Sequence, residues 1–431
     1  MKRLALAFAI AAFATASYAS LTPPNVDAKN SIGEFFKTFN AQPDTFAEYR
    51  FLTSPAVQQD EQTQNLAAQL LATELSFLGR PLEALRGFPF RGSDKPSDDL
   101  PTASAYKDVP AAEWIAAQAD DYRVVMVNEA HHVPQTRVLT FALLQALRAR
   151  GYTHLAVEAL ANDGSDAMPD GYPVRKTGIY TREPVFAELL REARRLGYVL
   201  APYEPNDEGE QSQQQRETGQ AQAIADLLAG SPEAKVLVHA GYAHIGEAKK
   251  GLPDDARSMA MELARISGLA LLTVDQTSTR AYEAGDIDTV GQQLAKRFAV
   301  VAPSVLVARE GGDAWSSAPG LYDVSVLLPA QPAAPLRPDW LTLGGKRLQV
   351  AIDMTPCIKH LPCLVEARYA NEGDDAIPAD QFLMLAASEA GTPLYLAPGD
   401  YRLRLLGNDG TTLAERKLTV PAHPTSATNT P

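Results

Sequence analysis

The feature that most constrains this chain is a repeated unit in its middle third. A helix rich in Leu, Ala and Arg closes on a glycine, and a short apolar strand follows that stops at an acid or a histidine. The first unit runs from Leu139 to Arg150, through Gly151-Tyr152, into Leu155-Ala156-Val157-Glu158. The second runs from Phe186 to Leu196, through Gly197-Tyr198, into Val199 and on to Glu204. The third runs from Met259 to Ile266, through Gly268-Leu269, and ends at Asp275. A further unit leads from Gln220 through Leu228 and Gly230-Ser231-Pro232 into the strand Lys235 to His239. Glycine just past the last turn, with arginine inside that turn, is a helix stop. Continuous apolar strands between such helices predict an α/β fold, a mostly parallel sheet flanked by helices.

Open parallel sheets gather their ligands at the carboxyl ends of the strands. Those ends carry the unusual residues here. Val124-Val125-Met126-Val127-Asn128 runs into Glu129-Ala130-His131-His132, the next strand ends at Glu158, and another ends at Tyr203-Glu204. His239-Ala240-Gly241-Tyr242-Ala243-His244 closes the set. Four of the seven histidines lie in two of these segments. Glu129 and His131 are two apart, so in extended chain they face the same side. Crowded carboxylates repel, so one keeps a proton or a cation sits among them. That leaves two chemistries open. Either a glutamate and a histidine activate water by proton transfer, or Glu129, His131, Glu158, Glu204 and His244 hold a divalent metal that does so. Arg216 is a candidate holder of a site carboxylate or a substrate anion, and Tyr242 a candidate aromatic wall. Serine and cysteine nucleophiles are disfavoured: there is no Gly-x-Ser-x-Gly turn, and neither cysteine lies in the α/β part.

The chain opens Met1-Lys2-Arg3, runs apolar and alanine-rich, and reaches Ser17-Tyr18-Ala19, which reads as a signal peptide over 1–19 and a periplasmic or secreted product. No later stretch is long and apolar enough to be a transmembrane anchor. A net charge of −13 with no basic cluster argues against nucleic acid as a partner. Residues 20–119 read as a helical and irregular extension, with a helix pattern over 61–78. Residues 120–340 read as the α/β pocket domain, with a polar insertion over 161–182 on the crevice side as a candidate lid. Val300-Val301, Ser304 to Val307 and Tyr322 to Leu328 are expected strands at the sheet edge.

From 345 to 421 the texture becomes short strands separated by Gly, Pro, Asn and Asp, with Gly407-Asn408-Asp409-Gly410 as a hairpin turn. This predicts a small all-β, sandwich-like domain, a candidate surface for a cell-envelope partner, and a disordered tail over 422–431. The two cysteines, Cys357 and Cys363, flank a turn-like segment containing His360 and Pro362. Disulfide and metal site are both open readings, the disulfide favoured because two thiols and one histidine fall short of a structural zinc set.

Asn128-Glu129-Ala130-His131 after a strand, Glu158 ending the next, Arg216-Glu217 on a later helix and Gly241-Tyr242-x-His244 after a further strand resemble the superfamily of erythromycin esterases, ChaN-like haem-binding proteins and TraB/Tiki proteins. Its first motif is usually Gly-Glu-x-His, and Asn128 stands here in place of the glycine. The resemblance covers about residues 120–330. It implies a pocket built from Glu129, His131, Glu158, Arg216 and His244. In the esterase branch such residues activate water against a lactone ester, in the Tiki branch they bind a divalent metal and cut peptides, and in the ChaN branch the region binds haem. On that resemblance His131, His244 and Tyr242 are the candidate cofactor contacts. The expectation is an exported hydrolase-like protein attacking an ester, lactone or amide in a small-molecule or peptide substrate. Glu129 or Glu158 would work with His131 as base, His244 as proton donor or orienting group, and Arg216 as anion holder. A haem- or metal-binding protein without catalysis and a cell-envelope interaction protein are the alternatives.

Overall fold

The computed structural model describes residues 26–89, 100–205, 211–280, 289–330 and 336–422. The expected signal peptide and nearly all of the expected disordered tail lie outside these residues. So do residues 90–99, 206–210, 281–288 and 331–335.

A large mixed sheet flanked by helices is the centre of the molecule. Its strands are β1 (Tyr106–Pro110), β2 (Val124–Glu129), β3 (Tyr152–Val157), β4 (Val199–Pro202), β5 (Lys235–Gly241), β6 (Leu272–Asp275), β7 (Ser304–Ala308) and β8 (Val324–Leu327), in the order β1-β7-β8-β6-β2-β5-β3-β4. The pairs from β8 to β4 are parallel, and β7 and β1 close one edge antiparallel. Every residue of β2 is buried, which is why its sequence is apolar without alternation. Its side chains still alternate in destination. Val125 and Val127 pack with helices Ala111–Gln118, Val138–Arg148 and Pro184–Arg195 on one face. Val124 and Met126 pack with helices Gln213–Gly230 and Met259–Ser267 on the other.

β1 is not among the expected strands: Tyr106–Pro110 lies in the stretch read as a helical and irregular extension, yet it pairs along its whole length with β7. Val300-Val301 was expected as a strand and is not one. Ala299 adopts a left-handed φ of 51°, and the Val300 amide bonds back to the Ala295 carbonyl at 2.8 Å. The pair therefore belongs to the exit of helix Val290–Arg297, and Val301 is left 91% exposed.

Smaller antiparallel sheets follow. β9 (Leu348–Val350) pairs with β12 (Leu394–Leu396), and β10 (Cys363–Tyr369), β11 (Asp380–Met384), β13 (Gly399–Leu406) and β14 (Thr412–Val420) form a four-stranded sheet ordered β11-β10-β13-β14. Residues of both sheets share one core around Phe382, Tyr401 and Leu396. β10 was missed because the cysteine turn beside it dominated the reading. Cys357 and Cys363 stand at disulfide-bonding distance, with Cα atoms 5.5 Å apart, as the favoured reading expects.

The N-terminal residues form helices Val26–Asn40, Thr45–Leu52, Gln64–Phe77 and Pro81–Gly87. They have a core of their own around Phe35, Phe36, Phe39 and Leu52. Phe46, Tyr49 and Leu78 pack on Leu364 and Leu383 of the C-terminal sheet. Among the described residues no helix is long and apolar enough to cross a membrane.

Candidate active site

The parallel register puts the ends of β2, β3 and β5 level: Val127 and Val157 both pair with His239, and Glu129 pairs with Gly241. The residues that continue those strands therefore meet. Glu129 accepts from the Nδ1 side of His131 at 2.8 Å and from Arg137 Nε at 2.7 Å. His239 Nε2 stands 3.2 Å from the same carboxylate, in ion-pair range but without hydrogen-bond alignment. On its other side His239 Nδ1 meets Thr140 Oγ1 at 2.9 Å. Arg137 also reaches Glu183 at 3.1 Å and the His131 carbonyl at 2.8 Å.

A second group lies beside the first. Glu158 receives Arg216 Nη2 at 2.8 Å and the Gly241 amide. Arg216 also pairs with Glu204, and Gln220 supports that carboxylate at 2.9 Å. His244 Nδ1 lies 2.7 Å from Glu217, and its Nε2 faces Arg216 at 3.2 Å and Glu158 at 3.6 Å. The two groups touch where His131 Nε2 stands 3.9 Å from Glu158 Oε1. The result is a buried alternation of imidazole and carboxylate: His239, Glu129, His131, Glu158, His244, Glu217.

Gly241 makes the meeting possible. A Cβ there would lie 2.5 Å from two ring atoms of His131 and 2.9 Å from Glu158. Tyr242 follows with a φ of 42°, a backbone strain that its neighbours hold in place. Its carbonyl accepts from Asn128 Nδ2 at 3.1 Å, and its ring meets His131 edge-on at 5.3 Å. Asn128 also donates to Asp275 at 2.8 Å and accepts from Gln276 N at 2.8 Å. Asn128 thus ties the ends of β2, β5 and β6 together.

Electrostatics separate the roles. Burial opposes charge on Glu129, but Arg137 and the imidazoles outweigh it and hold the carboxyl well below its ordinary 4.5. Burial likewise opposes charge on Glu158, and His244, His131, Arg216 and the Gly241 amide bring it down to about 2. Both are carboxylates at neutral pH and too weakly basic to take a proton. For His244 burial disfavours the cation, yet Glu217 and Glu158 raise its pKa above 6.5. An arginine only donates. The neutral ring therefore accepts from Arg216, and the protonated ring turns Nε2–H toward Glu158.

All the sequence-derived site residues come together here: Glu129, His131, Glu158, Glu204, Arg216, Tyr242 and His244. His132 lies outside the alternation, stacked on Phe88 at 3.8 Å with its Nδ1 3.2 Å from the Tyr242 hydroxyl. Arg137, Glu183 and Thr140 were missed, having no signal beyond a helix start. Tyr180, from the 161–182 insertion, was also missed; it stacks on His131 at 3.9 Å. His239, not among the sequence-derived site residues, faces Glu129.

The expected metal ligands do not form a ligand set. Among the described residues no group of three or more His, Cys, Asp and Glu side chains is arranged to hold a metal ion. The place of a cation between Glu158, Glu204 and His244 is taken by the Arg216 guanidinium. Haem fits no better, because the ring nitrogens of His244 are both engaged and Tyr180 lies flat on the His131 ring, which Tyr242 meets edge-on.

No family model matches this chain, and no curated protein matches it. Among solved structures it is similar to the type III effector HopBA1, at 16% identity over 46% of this chain and 95% of that one, with a TM-score of 0.29. It is also similar to RRSP, a MARTX toxin effector domain from Vibrio vulnificus, at 14% identity over 50% of this chain and 42% of that one, TM-score 0.25. A third is the C-terminal region of Pasteurella multocida toxin, described as having a thiol-protease-like catalytic triad, at 14% identity over 56% and 36%, TM-score 0.29. Likenesses at this level identify neither a family nor a function. The chain's own chemistry is a buried His/Glu network at the carboxyl edge of a parallel sheet, of the kind that relays charge or supports hydrolysis.

Proposed function

We propose that this protein is an exported hydrolase in which His131 activates water against an ester, lactone or amide carbonyl, related to the erythromycin esterase, ChaN and TraB/Tiki superfamily. The observation that carries this reading is the pairing of Glu129 with His131 Nδ1 at 2.8 Å. A carboxylate there keeps the ring proton on Nδ1, so Nε2 presents its lone pair toward Glu158. A water hydrogen-bonded to both Nε2 and Glu158 Oε1, which are 3.9 Å apart, would sit beside the pair with an angle of about 90° at its oxygen. Glu158 accepts one of its hydrogens and orients it. His131 takes the other as the oxygen attacks. Glu129 then stabilises the imidazolium that forms, and the imidazolium returns the proton to the leaving alkoxide or amine as the acyl bond breaks.

Arg216 and His244 hold Glu158 in place and keep it ionised, so in this reading they position the water rather than transfer its proton. No step runs through a metal or haem. The test is turnover of a panel of chromogenic esters, lactones and peptide amides by the wild type and by His131→Ala. Loss of all turnover in a folded His131→Ala variant is the expected result. Undiminished turnover would remove His131 from the chemistry.

A further inference from the structure

The site described above is roofed. His131 is only 12% exposed, and Tyr180 lies flat on its ring at 3.9 Å. A carbonyl substrate cannot approach Nε2 in this arrangement, so the 161–182 loop must move before anything binds. What holds that loop comes from far away in sequence. Glu48, 1% exposed on helix Thr45–Leu52, pairs with both terminal nitrogens of the Arg175 guanidinium and with Arg182 at 3.4 Å. Those two arginines bracket Tyr180. Arg175 also donates to the Gln42 carbonyl at 3.3 Å. The C-terminal region grips the same loop: Val174 bridges Ala376, and the Ile377 amide donates to the Pro173 carbonyl at 2.8 Å. The N-terminal helices also press on the site's other wall, where Leu85 packs with Ala130, Val133 and Tyr242.

We propose that the N-terminal helices are a cap on the active site, with Glu48 as the latch that holds the Tyr180 loop shut over His131. The inference concerns access to the same site as the proposed hydrolase, but its geometry does not require that chemistry. In the closed state Glu48 is the carboxylate that pairs with two guanidinium groups largely withdrawn from water. Removing its charge leaves them uncompensated when closed and freely hydrated when the loop lifts, so the balance moves toward the open form.

The test measures accessibility rather than turnover. The full chain is treated with diethylpyrocarbonate, and carbethoxylation of each histidine is followed by peptide mass mapping. Exposed His360 serves as the internal reference. In the wild type His131 should react much more slowly than His360. Glu48→Ala should accelerate His131 at least about tenfold with His360 unchanged, since breaking a largely buried ion pair shifts the balance by tenfold or more. Arg175→Ala breaks the same latch from the loop side at a partly exposed position, and it decides the matter if Glu48→Ala does not fold. Unchanged His131 reactivity in folded Arg175→Ala, or fast reaction already in the wild type, would overturn the cap. Absence of hydrolysis by the wild type, with the accessibility change intact, would instead count against the proposed function alone.

Discussion

Replacing Glu158 by Gln tests the electrostatics of the site without knowledge of a substrate. Gln keeps the length of the side chain but only one acceptor oxygen; Arg216 and the Gly241 amide use different oxygens of Glu158, so one of those hydrogen bonds is lost together with the charge. The carboxyl is lowered from 4.5 to about 2 in the folded protein. At about 1.4 kcal/mol per tenfold change in proton affinity, this corresponds to about 3 kcal/mol of stability at pH 7. The sign follows from the direction of the shift. A depressed carboxyl contributes fully above pH 4.5, and the contribution disappears as pH falls through the folded value near 2. Urea unfolding followed by tryptophan fluorescence is a suitable assay, since Trp114 and Trp340 both pack against the sheet core. Wild type should exceed Glu158→Gln by about 3 kcal/mol at pH 7, with the gap narrowing steadily below pH 4.5. A gap under about 0.5 kcal/mol, or one that does not narrow in acid, would refute the electrostatic picture of Glu158.

Three further predictions follow from individual contacts. Gly241→Ala forces the His131 ring and Glu158 apart, since the new Cβ would lie 2.5 Å from the ring; a displacement near 1 Å should reduce kcat/KM about a hundredfold on any substrate found while circular dichroism shows the fold retained. Arg137→Met strands the buried Glu129 carboxylate and should lower stability by about 3–5 kcal/mol in the same urea assay. Glu74 is buried beside Glu48, and burial first, then the Glu48 charge, raise its pKa well above 4.5. A raised carboxyl loses stability as pH climbs from its unfolded value through its folded one, so Glu74→Gln should gain in melting temperature over wild type between pH 5 and pH 9, and a constant difference would contradict the assignment.

The repeat of helix, glycine and strand was readable because each unit carries its own local punctuation. Gly151, Gly197 and Gly268 all adopt positive φ at the helix exits where they were expected. Strand ends were readable because a fully buried strand changes character abruptly at Glu129, Glu158 and His239. Partners supplied by other elements were not. Arg137 reaches Glu129 from the start of the following helix and Tyr180 reaches His131 from an irregular insertion, and neither position has a periodicity to mark it. The metal expectation had a physical basis in crowded carboxylates, which do need a positive charge; Arg216 meets that need from a helix whose register with the strand ends only the fold reveals. The N-terminal helices read as mixed because their core is small and their remaining contacts, such as Glu48 with Arg175, join positions 127 residues apart.

The account rests on the protonated Nδ1 of His131 facing Glu129. Long-range proton–nitrogen NMR correlations on nitrogen-15 histidine report the tautomer of each ring directly and need no substrate. The prediction is that neutral His131 carries its proton on Nδ1 in the wild type and shifts toward the Nε2 form in Glu129→Ala. An Nε2-protonated ring in the wild type, unchanged by that substitution, would contradict it.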